Sequence, residues 1–89
     1  PLSISENYIE NVYLFPNPAE NIVMINNIYS ETNISIYDIL GKNYKSIQIN
    51  SFENNSISID ISNLDSGIYF IRIQDINTGQ LKILRLIKQ

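Results

Sequence analysis

The sequence predicts an all-β domain, an antiparallel β-sandwich of about seven strands. Apolar and polar residues alternate in the clearest segments, Ile34 to Ile36 and Ile57 to Ile61, as they do in half-buried strands. Short apolar runs follow one another at intervals of roughly 10 to 12 residues, the spacing typical of a sandwich or barrel. Clusters of Asn, Asp, Ser and Gly separate these runs and favour turns.

Each strand is predicted from a run rich in Ile, Val, Tyr or Leu. In chain order the runs are Tyr8 to Phe15, Ile22 to Ile25, Ile34 to Ile36, Tyr44 to Ile49, Ile57 to Ile61, Gly67 to Ile73 and Leu81 to Ile87. Because Pro16 and Pro18 lack backbone donors, the first strand should end near Phe15. The segment Asn77 to Gln80 places Gly79 where a positive φ is tolerated, so the last two strands should form an antiparallel hairpin.

The last predicted strand is apolar on both faces. Leu84 and Leu86 face one way, whereas Leu81, Ile83 and Ile87 face the other. These residues do not share a single helical stripe, so the sequence favours a strand over a helix. Such a strand is either central and covered on both sides, or an edge strand that awaits a partner.

Length and composition exclude several classes of function. The 89 residues are enough for one domain. The net charge of -3, with six scattered Lys and Arg, argues against nucleic-acid binding. Without Cys or His, thiol, Ser-His, Cys-His and zinc-histidine sites cannot form. The sequence has no long apolar run or signal-peptide pattern, so any export signal is expected upstream.

A pair of carboxylates is the remaining route to acid–base catalysis. The candidate residues are Glu6, Glu10, Asp60, Asp65 and Asp75. Since most of them lie in predicted turns or at solvent-facing strand positions, we predict a non-catalytic domain that carries no cofactor and no metal.

Two binding hypotheses compete with simpler structural roles. Asp60, Asp65 and Asn63 could supply oxygen ligands to calcium, but their spacing is not that of an EF-hand, and Asn63 and Asp65 are better explained as caps of a turn. The six tyrosines suggest a platform that stacks on sugars. Tyr37 and Tyr69 lie in strands beside core positions, however, and are predicted to pack there.

Four segments stand in a fixed order between Leu14 and the end of the sequence. They are Leu14-Phe15-Pro16-Asn17-Pro18-Ala19, Ile34-Ser35-Ile36-Tyr37-Asp38-Ile39-Leu40-Gly41-Lys42, Leu64-Asp65-Ser66-Gly67-Ile68-Tyr69-Phe70-Ile71-Arg72-Ile73, and a basic-apolar tail that ends at Lys88-Gln89. Together they resemble the type A C-terminal sorting domain of the type IX secretion system of Bacteroidetes.

The resemblance implies an immunoglobulin-like β-sandwich over residues 14–89, with residues 1–13 as a linker remnant or a first strand. It also implies that the domain is a sorting signal. An upstream cargo in the same chain would enter the periplasm by an ordinary signal peptide, and this domain would then direct it across the outer membrane to the cell surface. The implied partners are the outer-membrane translocon, a sortase-like surface protease that removes the domain, and the cargo itself.

The family motifs fall on defined positions of this sequence. They are the Pro-Asn-Pro turn at Pro16, Asn17 and Pro18, the Asp-x-x-Gly-Lys/Arg turn at Asp38, Gly41 and Lys42, the Leu-x-x-Gly-x-Tyr element at Leu64, Gly67 and Tyr69, and the basic-apolar last strand with Lys82, Arg85 and Lys88. We expect structural roles for most of them, because proline fixes a turn, glycine supplies positive φ and tyrosine packs. We expect the export machinery to recognise the segment Gly67 to Gln89 directly.

Other hypotheses stay open at this point. A receptor could add a strand to the exposed last strand, with its basic residues setting the register, and the same edge could let two copies pair as a homodimer. Alternatively, the domain is an accessory sandwich that binds carbohydrate or protein and stays on a secreted enzyme, or an inert spacer.

Overall fold

The structure, a computed structural model, describes residues 11–50 and 55–89. Within these ranges the chain forms seven strands and no α-helix. The strands are β1 (Tyr13–Phe15), β2 (Ile22–Asn26), β3 (Thr32–Asp38), β4 (Asn43–Ile49), β5 (Ser56–Asp60), β6 (Gly67–Asp75) and β7 (Leu81–Lys88). One sheet has the order β1-β2-β5 and the other the order β4-β3-β6-β7. Neighbouring strands pair antiparallel, which confirms the predicted all-β sandwich.

The strand boundaries agree with the apolar runs of the sequence to within a few residues. The first strand ends at Phe15 as predicted, and it begins at Tyr13 in the part of the chain that the structure describes. The predicted start at Tyr8 lies outside the described residues. The hairpin between β6 and β7 is confirmed, with Gly79 at a φ of 78°.

Isoleucine dominates the core between the two sheets because every second strand residue points inward. The fully buried hydrophobic side chains include Val23, Ile25, Ile34, Ile36, Ile59, Ile71, Ile73 and Leu86. Each such side chain contributes about 1.5–3 kcal/mol through removal from water. The alternation in β2, where Ile22 and Met24 are exposed, leaves its other face to solvent.

The register of the strands gathers three connections and the end of β7 at one end of the sandwich. Asp38 lies opposite Tyr69, Gly67 lies opposite Lys88, and Ile22 lies opposite Asp60. The connections β1–β2, β3–β4 and β5–β6 therefore emerge together. We call this the motif end, because residues 16–18, 38–42 and 64–69 all lie there.

The hairpin between β6 and β7 lies at the opposite end and is held by Asp75. Its carboxylate accepts hydrogen bonds from the Ser30 hydroxyl at 2.6 Å and from the backbone N–H groups of Asn77 and Thr78 at 2.8 and 3.1 Å. Asp75 was predicted at a turn or facing solvent; it does lie at a turn, but it is buried. This carboxylate is a cap, since local amides and a hydroxyl occupy its oxygens.

The last strand, β7, is an edge strand of the four-stranded sheet. Leu86 is fully buried and Leu84 half-buried on its inner face, whereas Leu81 and Ile83 are about half-exposed on its outer face. Of the two alternatives that the sequence left open, the edge position is confirmed.

Candidate functional site

The Pro-Asn-Pro segment leads the chain from the first sheet to the second. β1 pairs with β2 as far as Phe15, and the two prolines, each preceded by a cis peptide bond, have no N–H to continue that ladder. Beyond them, Ala19 pairs with Lys88 in parallel orientation. The Ala19 N–H donates to the Ile87 carbonyl at 2.9 Å, and the Gln89 N–H donates to the Ala19 carbonyl at 2.8 Å.

The side chain of Asn17 completes this attachment to β7. Its Nδ2 donates to the Arg85 carbonyl at 2.8 Å, and its Oδ1 accepts from the Ile87 N–H at 2.9 Å. Asn17 thus occupies the main-chain groups that the outer edge of β7 would otherwise leave unpaired. We call residues 17–19 the clamp, because they cover the second half of that edge.

The β3–β4 turn is fixed by the carboxylate of Asp38. One oxygen accepts the N–H groups of Leu40 and Lys42, each at 2.9 Å, and the other accepts the Tyr44 hydroxyl at 3.0 Å. The bond from the Lys42 N–H is the main reason that the pKa of Asp38 lies below its ordinary value. Gly41 has a φ of 89°, a conformation that is strained for residues with a side chain. The Asp-x-x-Gly-Lys motif therefore encodes a rigid turn.

Two apolar side chains project from this turn. Ile39 is 69% exposed and Leu40 is 89% exposed. Neither was singled out from the sequence, although an apolar pair between Asp and Gly, where turns are usually polar, was a usable signal. Because the backbone beneath them is fixed, they are presented in a defined position at the motif end.

The Leu-x-x-Gly-x-Tyr element forms the corner that leads into β6. Tyr69 is buried and its hydroxyl donates to the Asp65 carbonyl at 2.7 Å, the bond that defines the tyrosine corner of immunoglobulin-like sandwiches. Burial raises the pKa of Tyr69 above its ordinary value. Leu64 is half-buried against the core, and Gly67 opens β6 at a φ of 153°.

The two turns meet through a pair of aromatic rings. The rings of Tyr44 and Tyr69 pack edge to face, with centroids 5.6 Å apart and planes at 87°, a favoured aromatic geometry. The Lys42 ammonium lies 5.0 Å from the centroid of the Tyr44 ring, within cation–π range. The hydrogen bond to Asp38 is the main cause that raises the pKa of Tyr44. Two motifs distant in sequence therefore form one packed unit.

The basic residues of β7 do not lie together. Lys88 is buried at the motif end, where its Nζ donates to the main-chain oxygen of Gln89 at 2.9 Å. Arg85 is exposed on the outer face, and Lys82 lies opposite Ile73, toward the other end of the strand. The three residues form no single cluster, because their positions alternate between the faces of the strand.

The calcium hypothesis receives no support from the side chains involved. Asp60 accepts the Ser62 hydroxyl at 2.6 Å and the Ser62 N–H at 2.9 Å, and these bonds lower its pKa. The predicted capping role thus belongs to Asp60 rather than to the side chains of Asn63 and Asp65. Among residues 11–50 and 55–89, no group of three or more acidic side chains could hold a metal, and no helix is long and apolar enough to cross a membrane.

Comparison with solved structures defines the fold class. The chain is similar to a DUF3244-family protein from Bacteroides vulgatus with an immunoglobulin-like β-sandwich fold, with a TM-score of 0.73 and 17% identity over 92% of this chain and 89% of that one. It is also similar to PorZ, an essential bacterial surface component of the type IX secretion system of Porphyromonas gingivalis, with a TM-score of 0.76 and 18% identity. That match covers 98% of this chain and only 12% of PorZ. The domain is an immunoglobulin-like sandwich.

The sequence itself identifies the family. The model of secretion system C-terminal sorting domains matches residues 13–89, and the chain belongs to this family of type IX sorting domains. No curated protein matches the sequence significantly. The resemblance drawn from the ordered motifs is therefore confirmed.

Proposed function

We propose that this domain is a non-catalytic C-terminal secretion signal that directs an upstream cargo protein across the outer membrane through the type IX secretion system. The observation that carries the proposal is the match of residues 13–89 to the sorting-domain family. The cargo ends at the cell surface or in the medium. A sortase-like surface protease releases the domain by cleavage on the N-terminal side of the matched residues 13–89.

The motif end is the surface that the translocon recognises. Three family motifs converge there, and the polar groups of Asp38 and Tyr69 hold turns through hydrogen bonds. Ile39 and Leu40 are the most exposed large apolar side chains of the described structure, and exposed apolar groups commonly mark interaction sites. A turn that is already rigid loses little conformational entropy on binding, which favours affinity.

A reporter fusion tests this proposal. A reporter with a signal peptide and residues 1–89 at its C-terminus should reach the surface of a type IX-competent host. The double variant Ile39→Ser, Leu40→Ser should remain in the periplasm. Ile76→Ser, an exposed isoleucine at the opposite end, is the matched control and should be exported. If the unaltered reporter stays periplasmic, the sorting function is wrong.

Exposed positions make this comparison interpretable. Substitutions there should change the free energy of unfolding by no more than about 0.5 kcal/mol, so a loss of export cannot be attributed to unfolding. Deletion of Leu81 to Gln89 is a poorer test, because it removes the fully buried Leu86 and a whole strand of the core. Export of the double variant at the control level would exclude the apolar turn from recognition.

The rival function is a binding module that remains on a secreted enzyme. The outer face of the four-stranded sheet has a shallow depression of about 370 Å³. Its lining residues include Ser46, Gln48, Arg72 and Gln74 but no aromatic ring, since the half-buried Tyr37 and Phe70 of the same face lie outside it. Sugar platforms rely on such rings. Mass spectrometry of the mature secreted protein separates the two functions: residues 14–89 are absent from a processed cargo and present in a retained module.

A further inference from the structure

The clamp leaves the first half of the β7 edge open. Arg85 and Ile87 of this strand, and Gln89 directly after it, use outward main-chain groups to bind the clamp. Because such groups alternate along an antiparallel strand, the N–H and C=O groups of Leu81 and Ile83 and the N–H of Arg85 also point outward. None of these groups has a hydrogen-bond partner in the described structure. We call Leu81 to Arg85 the open edge.

Charge is segregated on the face beside the open edge. Arg72 lies directly opposite Ile83, and Arg85 follows Ile83 by two residues on the same face. The remaining strand residues of this face in the described structure are Asn33, Ser35, Tyr37, Asn43, Ser46, Gln48, Ile68, Phe70, Gln74, Leu81, Ile83 and Ile87. None of these is a carboxylate, although the whole chain has a net charge of -3.

We infer that the open edge binds an extended strand of a partner protein in which apolar and acidic residues alternate. Main-chain pairing to Leu81, Ile83 and Arg85 would supply affinity, and side chains on the outer face would meet Ile83 and the two arginines. The edge accepts an added strand, since the clamp already pairs with its second half in parallel orientation. Pairing must stop at the Arg85 N–H, because Asn17 occupies the Arg85 carbonyl.

A second copy of this chain fits the open edge less well. Antiparallel self-pairing about Ile83 would place two faces with the same basic charges, those of Arg72 and Arg85, beside each other, and these like charges repel. The charge therefore favours an acidic strand. That this strand belongs to the export apparatus rests on the proposed function.

Titration with a defined peptide tests the inference without any export assay. The probe is acetylated, amidated Val-Glu-Val-Glu-Val-Glu-Val, and its comparison peptide has Lys in place of Glu. With the 89-residue chain labelled with ¹⁵N, the Glu peptide should shift the amide signals of Leu81, Ile83 and Arg85 but not that of Ile87. It should bind about 3- to 10-fold more tightly than the Lys peptide, as expected for ion pairs to the exposed Arg85 and the half-buried Arg72.

Two pairs of variants separate backbone pairing from charge. Ile83→Pro removes an outward N–H that the β6–β7 ladder does not use and should abolish binding, whereas Ile83→Thr retains that N–H and should bind. Arg85→Gln should weaken binding of the Glu peptide about 2- to 5-fold. Gln48→Glu makes the same change in net charge on distant β4, and binding should be unchanged.

Several results would overturn the inference. They are the absence of shifts at the open edge, equal affinity for the two peptides, and equal loss in Arg85→Gln and Gln48→Glu. Light scattering provides a further contradicting result. If the unaltered chain is a dimer, and Ile83→Pro dissociates this dimer whereas Ile83→Thr preserves it, the open edge binds a second copy of the chain. Export of the Ile83→Pro reporter at the normal level, with peptide binding lost, would show that the bound strand is not part of the export apparatus.

Discussion

Replacing Asn17 with alanine removes both side-chain hydrogen bonds between the clamp and β7. One joins Nδ2 to the Arg85 carbonyl at 2.8 Å and the other joins the Ile87 N–H to Oδ1 at 2.9 Å. A hydrogen bond contributes about 0.5–1.5 kcal/mol net, and these two lie near solvent, where water can replace the lost partner. We therefore expect Asn17→Ala to lower the free energy of unfolding by about 1–2 kcal/mol. For a domain of this size, each kcal/mol lowers Tm by roughly 4–8 °C.

Urea unfolding followed by circular dichroism measures the global effect, and hydrogen exchange measures the local one. In Asn17→Ala the Ile87 amide should exchange faster than neighbouring amides of β7, because its acceptor is gone. Asn17→Asp retains an acceptor for the Ile87 N–H but cannot donate to the Arg85 carbonyl, so its stability should be intermediate. Asn33→Ala removes the same side chain from an exposed position of β3 and is the matched control.

The clamp account is refuted if Asn17→Ala is as stable as Asn33→Ala and the Ile87 amide remains equally protected. In that case the backbone pairing of Ala19 alone would hold the end of β7. Faster exchange over the whole of β7, without selectivity for Ile87, would likewise show that Asn17 acts on the strand rather than through its two bonds.

Three further substitutions test the turns of the motif end. Tyr69→Phe removes the hydroxyl bond to Asp65 and should reduce the free energy of unfolding by about 1 kcal/mol; an unchanged urea midpoint would show that ring packing suffices. Since the folded-state pKa of Asp38 is lowered, its contribution to stability is complete above the unfolded pKa and is lost as pH falls through the folded pKa. Asp38→Ala should therefore flatten the decline of stability below about pH 4, and an identical decline would contradict this. Gly41→Ala should lower stability by about 1–2 kcal/mol because of its positive φ, and an equal urea midpoint would mean that the turn adapts.

The strands could be predicted because their signals are local. Alternation in Ile57 to Ile61 and the hairpin residues around Gly79 depend only on neighbouring positions. The clamp could not be predicted in this way, because Asn17 bonds to residues that lie 68 and 70 positions away in sequence. The Pro-Asn-Pro pattern indicates where β1 ends, but pairing across the sandwich decides where the chain goes next.

The family motifs identified the chain but not the geometry of its surface. The tyrosine corner explains Tyr69 in structural terms, as expected from its tendency to pack. Lys82, Arg85 and Lys88 are near one another in sequence, yet strand alternation and burial separate them. Ile39 and Leu40 fall within a matched motif, but the motif does not indicate that they are exposed. Their exposure depends on the conformation of the turn, which the hydrogen bonds of Asp38 fix.

Reporter location in two matched strains tests the central claim most directly. The reporter carries residues 1–89 at its C-terminus, and the strains differ only in whether the type IX translocon is intact. The proposed function predicts reporter on the surface or in the medium of the intact strain and in the periplasm of the other. Surface reporter in both strains, or periplasmic reporter in both, would contradict it.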